Sequence, residues 1–275
     1  MPQTPHITFI GAGNMAQAIL KGMLAAGYPQ SKISASGRTQ SKLDVLTADT
    51  GIRTSTDNLS LCRQADVIVL GVKPHMMGDL VQSIAPAVDT RRQLIVSVAA
   101  GILASSIETW LGQKAPIVRC MPNTPSLVGQ GAAGLFATGG VSDAQKQTAS
   151  IIMQSVGLAL WVETEADIDA VTAVSGSGPA YYFLMMEAMI AGAEELGLSN
   201  EIAKKLVLQT ATGAAEMAQQ SNQTPSQLRE AVTSPKGTTE QALNTFNNGG
   251  FNQLCSQAMA AAHHRSKELA QLFKA

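Results

Sequence analysis

His6-Ile-Thr-Phe-Ile10 runs straight into Gly11-Ala-Gly-Asn-Met-Ala16, and that junction decides the fold. The first segment has strand character, and the second opens a helical pattern over 15–26. GxGxxA between a strand and a helix is the turn that receives a dinucleotide pyrophosphate. Gly11 permits the tight turn, Gly13 lets the pyrophosphate approach the backbone, and Ala16 lets helix and strand pack closely. Ala12, Asn14 and Met15 complete the loop, and the helix N-terminus adds free N–H groups and partial positive charge. A glycine-rich turn of another α/β fold could carry the same letters, so the flanking units must decide.

Outward from that turn the chain alternates. Strand-like runs fall at 6–10, 32–36, 67–72, 94–98, 117–121, 133–137 and 158–162. Helical patterns fall at 15–26, 40–50, 59–65, 76–85, 105–111 and 141–156, the last opened by Ser142 as N-cap. VIVLG and LIVSV are apolar on both faces, as strands inside a covered parallel sheet are. The pattern predicts a doubly wound Rossmann-type α/β domain over 1–162. Strand signals then stop. Helices are expected at 168–174, 180–196, 200–220, 226–231, 238–247 and 251–273, giving an all-helical domain over 163–275 with an acidic joint at 163–167.

Composition narrows the function. Among 275 residues, 19 Lys plus Arg face 20 Asp plus Glu, so the net charge is −1. A nucleic-acid binder or a polybasic membrane anchor needs a basic excess, and none exists. Cys62, Cys120 and Cys255 form no CxxC and no ligand cluster, which argues against a metal site and for reduced thiols in the cytoplasm. No cationic region precedes an apolar run at the start, so no signal peptide is expected. The stretch 170–193 carries only Glu187, but Ser175-Gly-Ser-Gly-Pro179 interrupts it before it reaches a membrane span. A helix apolar nearly all round is normally buried. With only 14% charged residues, that points to a homodimer, or a higher oligomer of dimers, built by the helical domain.

The end of the second strand selects the cofactor. NAD sites place an acid there for the ribose diol. This chain has Ser36-Gly37-Arg38-Thr39, with no acid and a planar guanidinium fork suited to phosphate. NADPH is therefore expected, with NADH possible. Ligands sit beyond the carboxyl ends of such strands. That adds Val72-Lys73-Pro74, Ala100 and Asn123 as cofactor candidates. Asn58 is a helix cap by default and a cofactor contact by location.

GxGxMA, VKP, SVAAG, RCMPNTP, SGSGPAY and SPxGTT together resemble the pyrroline-5-carboxylate reductase family, from about Ile7 to about Leu269. The resemblance implies NADPH-dependent reduction of the cyclic imine 1-pyrroline-5-carboxylate to L-proline, the last step of proline biosynthesis. It implies that Ser234, Gly237 and Thr238 hold the substrate carboxylate, with Thr239 the hydroxyl partner of the ring nitrogen and Thr238 its neighbour. Read by themselves, those residues also make an ordinary capping turn. Ser177 and Gly178 are placed near the substrate. The family's usual glycine is Lys236 here; if that position has positive φ, lysine costs about 1–2 kcal/mol. SGSG lacks the spacing and the preceding strand of a hydrolase elbow. Two rivals remain at this level. A β-hydroxyacid-dehydrogenase-like enzyme would want a lysine near the joint, and none occurs between Ser175 and Lys204. A non-catalytic NADPH sensor would bind without turnover.

Overall fold

The computed structural model describes residues 4–275. Its first compact unit runs through Ser177 and takes back Ala261–Ala275. The strands are β1 (Ile7–Ile10), β2 (Ile33–Ser36), β3 (Arg53–Ser55), β4 (Val67–Leu70), β5 (Leu94–Ser97), β6 (Ile117–Met121), β7 (Gly131–Ala137) and β8 (Gly157–Trp161). They form one sheet in the order β3-β2-β1-β4-β5-β6-β7-β8. Between them run α1 (Asn14–Ala25), α2 (Gln40–Thr50), α3 (Asn58–Gln64), α4 (Met77–Ile84), α5 (Ala104–Leu111) and α6 (Asp143–Gln154), and α7 (Asp167–Val171) follows β8.

Alternation within the strands builds two cores. Ile7, Phe9, Val67 and Val69 join Ile19, Leu20 and Met153 on one face. Ile10, Ile68 and Leu70 join Val81, Ile84 and Ile107 on the other. This period of two under helices on both faces is the doubly wound arrangement. Ser142 caps α6 in a reciprocal box with Gln145.

Three details depart from the sequence reading. The sheet is not parallel throughout, because β7 runs antiparallel to β6; the connection 122–130 is too short for a crossover helix. β3 is a polar three-residue edge strand that no hydrophobic pattern announces. Asn58 is not the cap of α3: Asp57 is, accepting from Ser60 N at 3.1 Å, and Asn58 is the first helical residue.

The second compact unit is Gly178–Ala260. It holds α8 (Gly178–Glu195), α9 (Asn200–Gln220), α10 (Pro225–Ala231), α11 (Thr238–Asn248) and the start of α12 (Phe251–Leu272). Compactness thus divides the chain after Ser177 rather than at residue 162. The reason is local: Ile168 and Ala173 are buried, and Asp169 accepts from Ser266 Oγ at 2.6 Å within the first unit. No helix among the described residues is long and apolar enough to cross a membrane. On α8, Tyr182, Phe183, Leu184 and Met189 are exposed in the single chain.

Candidate active site

Strand order reverses between β1 and β4, the place where doubly wound folds bind ligands. The two strand ends nearly touch there. Gly11 has φ +94°, and a Cβ on it would lie 2.6 Å from Val72 Cγ1. A Cβ on Gly71 would lie 2.7 Å from Gly11 O and 3.1 Å from Ala16 Cβ. Only glycine fits either place. Gly13 is the N-cap of α1 and makes no side-chain cap bond, so the first N–H groups of that helix keep no side-chain partner. This backbone fits a pyrophosphate, and a side chain at Gly11 would close the cradle.

From that turn a groove of about 640 Å³ opens. It collects Gly11, Ala12 and Gly13 with Ser36, Gly37 and Arg38 at the β2 end. Asn58, Val72 and Lys73 line it too. Asn14 and Met15 continue into α1, and Ala16 is fully buried behind the turn. Pro74 opens a short 3-10 turn, Pro74–Met76, and neither it nor Ala100 lines the groove. Asn123 is buried, and protein groups engage both ends of its amide. Sequence reasoning missed Lys42 and Thr56, which line the same recess as Arg38. Lys42 sat inside a helical pattern, and only the fold turns it toward β2. Arg38, Lys42 and Lys73 enter no ion pair among the described residues, while Asp79 contributes one carboxylate to the lining.

In the second unit, Gly237 is the N-cap of α11 and bonds back to Ser234 O at 3.0 Å. A Cβ on Gly237 would meet Ser234 O at 2.9 Å, so the tight turn requires glycine. With no side chain at the cap, the N–H groups of the first turn face outward for an anion. Lys236 has φ 59°, the single positive-φ non-glycine residue among those described. Its N–H donates to Glu240 Oε2 at 2.8 Å, a bond that holds the strained residue in place. Thr239 is half-buried and Thr238 exposed.

Two of the three thiols are buried and held protonated. Burial pushes Cys62 up to about 12, with Asp57 adding to the shift, and raises Cys120 further still. No group of three or more His, Cys, Asp or Glu among the described residues could hold a metal.

A dinucleotide groove whose β2 end offers cations in place of an acid, on a chain that also carries a helical unit, defines a nicotinamide-dependent oxidoreductase of the two-unit kind. Residues 6–101 match the family model described as NADP oxidoreductase coenzyme F420-dependent, and 165–269 match pyrroline-5-carboxylate reductase dimerisation. A pyrroline-5-carboxylate reductase of Pseudomonas aeruginosa is 52% identical over 268 residues, covering 98% of each chain. One from Glycine max is 38% identical, covering 95% of this chain and 94% of its own. The structure of the Coxiella burnetii reductase superposes with TM-score 0.94 at 46% identity over 98% of this chain and 99% of its own. The Plasmodium falciparum pyrroline carboxylate reductase, solved with NADP bound, gives 0.85 at 31% identity over the same shares. The chain belongs to the pyrroline-5-carboxylate reductase family.

Proposed function

We propose that this chain reduces 1-pyrroline-5-carboxylate to L-proline with NADPH, accepting NADH less well. The carrying observation is the groove at the β2 end, where Arg38 and Lys42 enter no ion pair among the described residues. A 2′-phosphate supplies the partner for such a pair. Family membership supports the substrate.

NADPH, when bound, supplies the hydride that reduces the imine carbon. The chain's own residues position and bind. Gly11 to Ala16 receive the pyrophosphate through backbone N–H groups. Ser36 and Arg38 hold the 2′-phosphate, and Asn58, Val72 and Lys73, which line the same groove, follow the remainder of the cofactor. In the second unit, the Gly237–Thr238 backbone binds the substrate carboxylate beside Ser234. Thr239 Oγ1 hydrogen-bonds the ring nitrogen. A threonine hydroxyl does not ionise near neutral pH, so its part is orientation; the proton on the ring nitrogen is already carried by the protonated imine or comes from solvent. Holding carbon and hydride in register supplies much of the rate.

The exposed aromatic and aliphatic side chains of α8 support a homodimer, or an oligomer of dimers, built through the helical unit. Three cysteines that form no disulfide among the described residues support a cytoplasmic location. The test is loss of NADPH absorbance on adding 1-pyrroline-5-carboxylate. Turnover supports the reading. Tight NADPH binding with a flat trace would replace it with a sensor.

A further inference from the structure

Between α7 and α8 the chain forms a π turn, Thr172–Gly176, then bends at Ser177. The cause is Pro179. In a continuous α-helix the Ser175 carbonyl would accept from the N–H of residue 179, and proline has none. The ladder shifts instead, with Ser177 N donating to Thr172 O at 2.8 Å, the five-residue spacing of a π-bulge. Ser175 O is left without its main-chain donor. Asn123, just past the end of β6, supplies one: its Nδ2 donates to Ser175 O at 2.9 Å. Its Oδ1 accepts from Ala132 N at 2.9 Å, which fixes the amide's orientation at the start of β7. Asn123 is only 8% exposed, so this bond forms away from bulk water. Two close approaches seat the same segment. A Cβ on Gly176 would lie 2.5 Å from Met121 Cε, and one on Gly134 would lie 2.6 Å from Val171 Cγ2.

The placement gives the clasp a use. The parallel strands present their carboxyl ends to the ligand crevice, and Asn123 follows the carboxyl end of β6. The cations Arg38 and Lys42 mark the adenosine half of the groove at the β2 end, so the reacting half of a dinucleotide lies toward β4, β5 and β6. Ser177 stands half-buried at the bend and carries a hydroxyl.

We propose that Asn123 is a positioning residue for the reduction: its side chain replaces the hydrogen bond that Pro179 cannot make and thereby fixes the 175–177 bend, presenting the Ser177 hydroxyl at the β6 end of the crevice. The inference rests on the reductase reading of this chain. It assigns Asn123 an action through Ser175 and Ser177 rather than through contact with the cofactor.

The test is Asn123→Asp, nearly isosteric and still able to accept from Ala132 N. As a carboxylate it has no proton for Ser175 O; protonated, it regains the donor. Burial and the facing carbonyl raise its pKa. At about pH 8 the variant should lose about ten-fold or more in kcat while its KM for NADPH stays within about two-fold, and at about pH 5 the kcat deficit against wild type should shrink to about three-fold or less. Amide exchange over 171–177 in the cofactor-free protein, each variant referred to wild type at the same pH, should show the same pH-dependent gap. Adding Pro179→Ala, which restores a main-chain donor to Ser175 O, should narrow both deficits at the higher pH. A deficit equal at both pH values, a raised KM for NADPH with kcat unchanged, or wild-type exchange over 171–177 overturns the inference. Failure of the reductase reading would show separately, as no turnover by wild type, and leaves the exchange readout intact.

Discussion

Glu165→Ala should destabilise the first unit far more than an ordinary surface change. Arg119 on β6 is 4% exposed at its side chain and meets Glu165 Oε1 at 3.0 Å, with Glu165 28% exposed. The same oxygen accepts from Ala104 N at 2.7 Å, at the start of α5. Removing one partner of a buried pair leaves an uncompensated charge and costs about 3–5 kcal/mol. Partial exposure of Glu165 lets water screen the stranded guanidinium, so the low end, about 3 kcal/mol, applies to the charge. The orphaned N–H of buried Ala104 adds about 1 kcal/mol. Glu165→Ala should therefore cost about 4 kcal/mol, and Glu165→Gln, which keeps an acceptor for both donors, about half of that. Arg119→Met combined with Glu165→Ala should recover most of the charge penalty, because no buried cation then remains. Both tryptophans, Trp110 and Trp161, lie in this unit, so urea unfolding followed by their fluorescence reads it directly. A Glu165→Ala cost below about 1 kcal/mol, or a double variant worse than the single, would refute the buried-pair reasoning.

Three further outcomes follow from the site and its surroundings. Arg38→Ala should raise the KM for NADPH by about 10–100-fold and leave NADH nearly untouched, with Lys42→Ala doing the same more weakly; equal effects on both cofactors would remove them from the 2′-phosphate. His6 is held below its ordinary pKa of 6.5, first by burial and then by Lys32, against an opposing Asp66. Its neutral form is favoured on folding, so stability is full above 6.5 and falls as pH drops through the folded pKa. His6→Gln should flatten that acid limb in urea titrations, and an unchanged limb would assign it elsewhere. Lys236→Gly relieves about 1–2 kcal/mol of left-handed strain against about 0.5–1 kcal/mol of added unfolded-state freedom. Thermal melts should therefore rise by about 1–4 °C; a fall would mean that the Lys236 side chain stabilises the turn in some way its backbone does not explain.

The parts of this architecture that rest on local forces were legible in the residues. GxGxxA, the two-faced VIVLG and LIVSV strands and the Ser142–Gln145 cap each depend on neighbours a few positions away. The Gly237 turn was legible for the same reason, and so was the condition on Lys236, whose φ of 59° meets it. What could not be read depends on distant partners. β3 is a strand because β2 offers it a ladder; its polar Arg-Thr-Ser carries no period. β7 runs antiparallel because of a short connection, although its residues look like any buried strand. Lys42 reads as a surface helix residue until α2 is laid beside the β2 end. The SGSGP stretch reads as a break, whereas Asn123, far away in sequence, turns it into a clasped bend.

The most direct test of the account follows the hydrogen. Wild-type protein is supplied with 1-pyrroline-5-carboxylate and NADPH carrying deuterium at both C4 positions, and the product is read by mass spectrometry and NMR. Proline carrying one deuterium, at the former imine carbon, is the predicted result. Proline without the label, or cofactor consumed with no proline formed, would contradict the account.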